Sequence, residues 1–428
     1  MWLIFKGKIC IARNDTEASQ CTLGGFPEYV VNVSTAAQVQ LAVNFARNLN
    51  IRLVIKNTGH EYGVPNSLPT PYQVVTSNGR FLTATEYAQS DLFWTLRGGG
   101  GGTFDVVTSV IVKAFPDTDA TLSTFILGNS TDGTQLVSRE DFFKAVRVLW
   151  KSFPAYTDAK TYSFFFIFNT GGQLTLDMKA FYASGHTRES FDNLTKPFFD
   201  TVEDLGIPFQ KPKNTTYYHS FFPSYWGAWG KTPFPLGTAT SLFGNRLLPK
   251  SLWSTESNFE APWNTIVAHV EAGRHFGIYH QAPGKKQNVD NAVSSAWRNA
   301  QSFFIASSPV FAVDASAEVI GEANRVLNEY ILQPWSNIAP ASIGSGSYLN
   351  EATVDEPNWK ENFYGEQYSR LLITVISHSL TYLQALYRGL EGPTQVGDAL
   401  EGDIWVQILS LGLFGKFTDW ARRKVLKV

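Results

Sequence analysis

Asp91-Leu-Phe-Trp-Thr-Leu-Arg-Gly-Gly-Gly-Gly-Gly-Thr-Phe-Asp-Val-Val-Thr-Ser109 is the stretch on which the reading of this chain turns. Leu92–Leu96 predicts a short helical or turn element. Five glycines follow, Gly98–Gly102, and Val106–Val112 then predicts a strand that Pro116 stops. Without a Cβ, glycine lets backbone N–H groups approach an anion, and successive amides form a concave nest. The run is not a G-x-G-x-x-G fingerprint, because Thr103 holds the last position and the glycines precede the strand. Nor is it a P-loop, since no Gly-Lys-Ser/Thr follows. A phosphate nest and a flexible loop both remain open at this point.

Upstream, residues 28–62 predict strand, helix, strand. Tyr29–Val33 is β-rich, Ser34 or Thr35 can cap a helix over Ala36–Asn48, and Ile51–Ile55 is a short apolar strand. That strand runs into Asn57-Thr-Gly-His60, which puts an imidazole on a tight turn at a strand exit, although a lone histidine is more often structural. Val74–Thr76, Ser77-Asn-Gly-Arg80 and Phe81–Ala84 predict a hairpin.

Past Pro116 the texture becomes mixed. Strands such as Tyr162–Phe168 and Leu174–Met178 alternate with helices expected near 137–152, 187–204, 289–305 and 314–332. The connection has no Gly/Ser-rich linker, so the two regions are expected to pack closely. Tyr217–Trp226 is an aromatic cluster that suits a pocket wall or the core, with the core expected. His275 and His280 lie five apart on a predicted strand, hence on opposite faces. No histidine belongs to a metal-ligand motif, and G-x-S-x-G is absent.

The 428 residues carry 35 Lys+Arg against 37 Asp+Glu, a net charge of −2, which argues against a nucleic-acid partner. Hydrophobic residues at 44% and charged ones at 17% exclude a disordered chain. Aromatics reach 14%, enough to line a pocket for a planar or apolar small molecule as well as a core. Cys10 and Cys21 permit one local bridge at most. The start of the chain predicts no signal peptide, and sequons at Asn14, Asn32, Asn129, Asn193 and Asn214 leave glycosylation open. Ile404–Phe414, followed by Lys416, Arg422, Arg423, Lys424 and Lys427, predicts a terminal helix with a basic last turn. A membrane-surface helix is the alternative.

Taken together, these sites form a resemblance. Ile55-Lys-Asn-Thr-Gly-His-Glu-Tyr-Gly63 resembles the stretch that carries the covalent flavin histidine in fungal berberine-bridge-enzyme-like oxidoreductases, which share the vanillyl-alcohol-oxidase (PCMH-type) FAD-binding fold. Cys21–Asn32 resembles the family's first FAD-domain strand, and Asp91–Ser109 its late FAD-domain signature. Ala292–Arg298 is similar to a substrate-domain helix. Tyr348–Ala352, Glu356–Trp359, Tyr364-Gly365 and Tyr368–Leu371 resemble the return into the FAD domain. The resemblance covers residues 20–372 and implies an α+β, two-domain fold. The FAD domain would be made of 1–116 and 341–372, with an antiparallel-sheet substrate domain, 117–340, inserted between. It assigns nothing to 373–428.

The resemblance implies further that His60 bonds covalently to the flavin, with Asn57 and Gly59 beside it. Gly100, Gly101, Gly102, Thr103, Phe104, Val106 and Val107 would contact FAD, and Asn350 would lie near the polar edge of the flavin ring. Tyr348 would lie close by, a plausible base if its pKa is lowered. The segment that usually separates the histidine stretch from Tyr72–Thr76 is shortened here to Tyr62–Pro71, so a second, cysteinyl flavin link is not expected. Asp105 stands where glycine is usual and would bring a negative charge near the phosphates. The function implied is a two-electron oxidation of an alcohol or activated C–H in secondary metabolism, with O₂ reoxidising the flavin. A shortened relative that no longer retains FAD is the alternative.

Overall fold

A computed structural model describes residues 29–49, 51–56, 72–100, 104–111, 115–129, 137–230, 241–284, 289–312, 315–353, 355–378 and 405–409. Cys10, Cys21, Asn57, Gly59, His60, Gly101, Gly102 and Thr103 lie outside them. The chain folds as an α+β protein built on three sheets.

The first sheet holds β1 (Tyr29–Asn32) and β2 (Arg52–Lys56), joined by the helix Ala36–Asn48. A capping box starts that helix: Gln38 N–H donates to Thr35 Oγ1 at 3.3 Å, and Gln38 Oε1 accepts from the Thr35 N–H at 3.2 Å. Val39, Ala42, Val43 and Ala46 recur at helical spacing and are buried. The strand between β1 and β2 is Trp405–Leu409, parallel to both. Sequence reasoning expects a helix there, and the structure corrects it. An apolar run with Val406 and Ile408 suits a central parallel strand, and it supplies hydrogen bonds to two edges at once.

In the second sheet β3 (Tyr72–Thr76) lies between β4 (Phe81–Ala84) and β5 (Asp105–Val110). The predicted hairpin is present, with Val75 opposite Phe81. The third sheet is antiparallel and has seven strands: β6 (Ala120–Gly128), β7 (Thr161–Thr170), β8 (Gln173–Ser184), β9 (Phe209–Tyr218), β10 (Phe243–Pro249), β11 (Phe276–His280) and β12 (Ala300–Ser307). Their spatial order is β10-β12-β11-β7-β8-β6-β9.

One face of this sheet is sealed by helices Arg139–Lys151, Arg188–Asp204, Glu256–Glu271 and the helical stretch Ala317–Ile338. Phe125, Phe142, Trp150, Phe165, Phe276, Phe304 and Trp335 are fully buried between them. The helix expected over 289–305 is instead a short one, Ser295–Asn299, followed by β12. A buried apolar run such as 300–306 cannot be told from a helix by periodicity, and pairing with both β10 and β11 decides it.

The aromatic cluster 217–226 is also corrected. On the helix Phe221–Trp229, Phe221 is 48% and Phe222 65% exposed. Its small residues face the sheet: Ser224 Oγ lies 2.7 Å from the Tyr182 hydroxyl, and a Cβ on Gly227 would meet Tyr218 Oη at 2.3 Å. The helix therefore sits close over Tyr182 and Tyr218 and leaves Phe221, Phe222 and Tyr225 exposed.

Candidate active site

The second face of the seven-stranded sheet carries rings. Along β7, Thr161, Ser163, Phe165 and Ile167 point into the helix-covered core. Tyr162, Phe164, Phe166 and Phe168 point the other way and stay half-buried. Phe164 stacks on Tyr279 of β11 at 4.5 Å and 15°. Tyr279 meets Phe303 of β12 at 5.4 Å, and Phe303 meets Trp297 at 5.7 Å. Trp297 then packs edge-on against Tyr348 at 5.2 Å. At the other end Trp229 closes on Tyr162 and Phe164, 6.1 and 6.0 Å away. An unbroken run of rings thus crosses the middle of the sheet and ends at Tyr348.

The structure brings Tyr348 and Asn350 together. Both are buried, and Asn350 Nδ2 donates to Tyr348 Oη at 3.0 Å. Their segment runs beside β10, where Leu247 N–H donates to Gly346 O at 2.8 Å. Leu349, between them, packs the opposite way, onto the cluster that holds Phe93, Phe104 and Val107. The Tyr348–Asn350 segment therefore separates the core of the second sheet from the ring-bearing face of the third.

Behind Tyr348 lies a group of polar side chains of which only Glu356 belongs to a motif quoted above. Asn245 Oδ1 accepts the Tyr348 N–H at 2.6 Å, and Asn245 Nδ2 donates to Tyr348 O at 2.9 Å. Arg246 and Glu356 form an ion pair at 3.7 Å with side chains 3% and 4% exposed. Glu356 Oε1 accepts from Ser347 Oγ and Asn362 Nδ2, both at 2.9 Å. Burial pushes the Glu356 carboxyl up to about 7, against the pull of Arg246, Ser347 and Asn362.

Of the other expected contacts, Phe104 and Val107 sit in the core of the second sheet. Val106 faces the helix Ala36–Asn48 on the other side. Gly100 lies just beyond the helix Ser90–Leu96, with φ +93°. The start of the glycine run serves close packing: a Cβ on Gly98 would meet Val293 N at 2.1 Å, and one on Gly99 would meet Leu371 at 2.4 Å. Neither position is an open loop. Asp105 is 3% exposed, and burial pushes its carboxyl well above the usual range while the Ser77 backbone hydrogen bond pulls it down. The negative charge expected there is thus disfavoured. His280 is structural, held between Thr161 Oγ1 at 2.9 Å and Ser163 Oγ at 2.5 Å.

Residues 347–374, the Tyr348–Asn350 segment included, match the family described as "Berberine and berberine like". The chain is 28% identical to the VAO-type flavoprotein oxidase VAO615 of Thermothelomyces thermophilus over 461 aligned positions, 86% of this chain and 76% of that one. It is 32% identical to the FAD-linked oxidoreductase patO of Aspergillus clavatus over 313 positions, 72% of this chain and 51% of that one. The crystal structure of the VAO-type flavoprotein MtVAO615 from Myceliophthora thermophila superposes with a TM-score of 0.74 at 24% identity, covering 89% of this chain and 82% of that one. The chain is similar to berberine-bridge-enzyme-like, FAD-linked oxidoreductases over most of its length.

The described residues of this chain fit a flavin nucleotide. β5 is an edge strand, paired with β3 on one side, so the main chain of Asp105–Val110 offers a free edge among the described strands. Thr95 Oγ1, fully buried beneath the glycine run, has no hydrogen-bond partner among the described residues. The Asn350 carboxamide adds a buried donor and acceptor. The family motifs found Tyr348, Asn350 and the β5 edge. They did not find the ring-bearing face, because Tyr162, Phe164, Tyr279, Trp297 and Phe303 come from four separate segments that only pairing brings together.

Proposed function

We propose that the protein is an FAD-dependent oxidoreductase that oxidises a small, uncharged, ring-bearing substrate at an alcohol or activated C–H. The observation that carries this reading is the hydrogen-bonded Tyr348–Asn350 pair at the end of the run of rings. Bound FAD would supply the two-electron acceptor, taking a hydride from the substrate carbon and passing the electrons to O₂, which leaves as H₂O₂. His60 would hold it covalently, with Asn57, Gly59, Gly101, Gly102 and Thr103 as further contacts.

The chain's own groups divide the remaining work. Tyr348 Oη accepts the proton that the substrate hydroxyl or its activated C–H region gives up. Asn350 Nδ2 donates to that oxygen at 3.0 Å and holds it in place. Phe164, Tyr279 and Phe303 present flat apolar surface on which a substrate ring can stack, and they exclude water from the reacting atoms.

Expression with riboflavin, followed by visible spectra before and after acid precipitation, tests the cofactor. Yellow colour retained in the pellet is expected, and His60→Ala should release it. A colourless protein would overturn the reading. Tyr348→Phe tests the base: turnover should fall roughly 10²-fold or more while the bound flavin stays. Benzylic or phenolic alcohols should be turned over in preference to charged acids.

A further inference from the structure

We infer that Asn245 is a positioning residue for Tyr348, gripping both main-chain groups of that residue from β10 while the buried Arg246–Glu356 pair anchors Ser347 behind it. The inference rests on the reading of Tyr348 as the base.

β10 is one of the two edge strands of the seven-stranded sheet, and the 345–348 segment lies along its outer side. Main-chain pairing there is limited to one bridge, Leu247 with Gly346. Two residues further on, the Asn245 side chain takes over the role of a strand partner. Its Oδ1 accepts the Tyr348 N–H at 2.6 Å and its Nδ2 donates to the Tyr348 carbonyl at 2.9 Å. A carboxamide alone presents a donor and an acceptor at this spacing. Asn245 is 1% exposed, so without it both main-chain groups of Tyr348 would lose a buried partner.

The next residue on the strand points the opposite way and fixes the neighbouring position. Arg246 Nη2 donates to Ala339 O at 2.7 Å, and its Nη1 lies 3.4 Å from Ser347 Oγ. Ser347 Oγ donates in turn to Glu356. Residues 347 and 348 are thus gripped by two consecutive side chains of β10. Trp297 and Phe303 wedge the Tyr348 ring, and Asn350 meets its hydroxyl. The phenol has little freedom left. A reacting proton acceptor needs that, because a displacement of about 1 Å can cost roughly 10²-fold in rate.

The test compares wild type, Asn245→Leu, Tyr348→Phe and the double variant as flavin-loaded full-length protein. Asn245→Asp is a fifth protein that keeps the acceptor and loses only the donor. Hydrogen exchange across 345–350 reads the grip without turnover. Asn245→Leu should speed exchange of the Tyr348 amide, and Asn245→Asp should do so less. Unchanged protection in both would overturn the inference whatever the activity. Kinetics read the consequence. Asn245→Leu should lower kcat roughly tenfold with KM within about twofold, and it should add nothing in the Tyr348→Phe background. Equal losses in both backgrounds would show a general effect on the fold and overturn the inference. Full turnover by Tyr348→Phe would instead overturn the assignment of the base, and exchange alone would then decide whether the grip exists.

Discussion

Phe164 and Phe165 are neighbours on β7, yet they do different things. Phe165 points into a core sealed by four helical segments and is fully buried, 6.2 Å from the Phe153 ring. Phe164 points to the other face and stacks with Tyr279 in a run of rings that ends at Tyr348. The same residue type is sealed core packing on one side and part of a half-buried run of rings on the other. Alternation along a strand assigns the two faces, but only the covering elements decide which face is closed.

The comparison can be broken most directly at these two residues. Phe165→Ala should cost about 3–5 kcal/mol of unfolding free energy, the usual range for a fully buried ring. Phe164→Ala should cost about 1–2 kcal/mol, because a half-buried ring loses less burial. Its larger effect should be a raised KM. Urea unfolding with steady-state kinetics checks both, and equal stability losses would erase the distinction between the faces.

The core face also carries a titrating group. Burial lowers His280 to about 3, although the hydrogen bond at Thr161 opposes it. Above the ordinary histidine pKa of about 6.5 the ring is neutral in both folded and unfolded chains, and the fold keeps its full stability. Below that pH the unfolded chain takes up a proton that the folded one refuses, so stability falls with pH. By pH 4 the loss from this group should reach about 3 kcal/mol. Unfolding free energies from pH 7 to pH 4 should show this slope, flattened in His280→Gln.

A smaller effect of opposite sign is expected in the second sheet. The folded-state pKa of Asp105 is raised by burial, so its contribution is lost as pH rises above the ordinary aspartate range. Asp105→Asn should therefore raise the melting temperature by a few degrees at pH 8 and have little effect at pH 4. A variant that is less stable at pH 8 would contradict the burial argument. The smallest effect belongs to Phe222→Ala on the exposed helix face, within about 0.5 kcal/mol by thermal melts. A loss as large as that at Phe165 would show that this face is covered.

What could be read beforehand follows from the range of each interaction. Capping and spacing are local, so the Ala36–Asn48 helix with Ser34 or Thr35 as its cap was legible, as were the 74–84 hairpin and the strand over Tyr162–Phe168. Motif spacing made Tyr348, Asn350 and the β5 edge legible, and with them the family. The helix expected over Ile404–Phe414 failed because an apolar run does not report its neighbours, and two waiting strand edges settled the matter. The aromatic cluster at 217–226 failed because Ser224 and Gly227, not the rings, seat that helix on the sheet.

By itself, then, the sequence determined periodicity, caps, turns and the spacing of family motifs, all of which depend on residues near one another in the chain. Tertiary structure alone decided which face of the large sheet the four helical segments seal, and that Asn245, Arg246 and Glu356 meet behind Tyr348. These contacts join residues about a hundred positions apart, and no local preference encodes them; they exist because β10 lies beside the returning segment at Gly346.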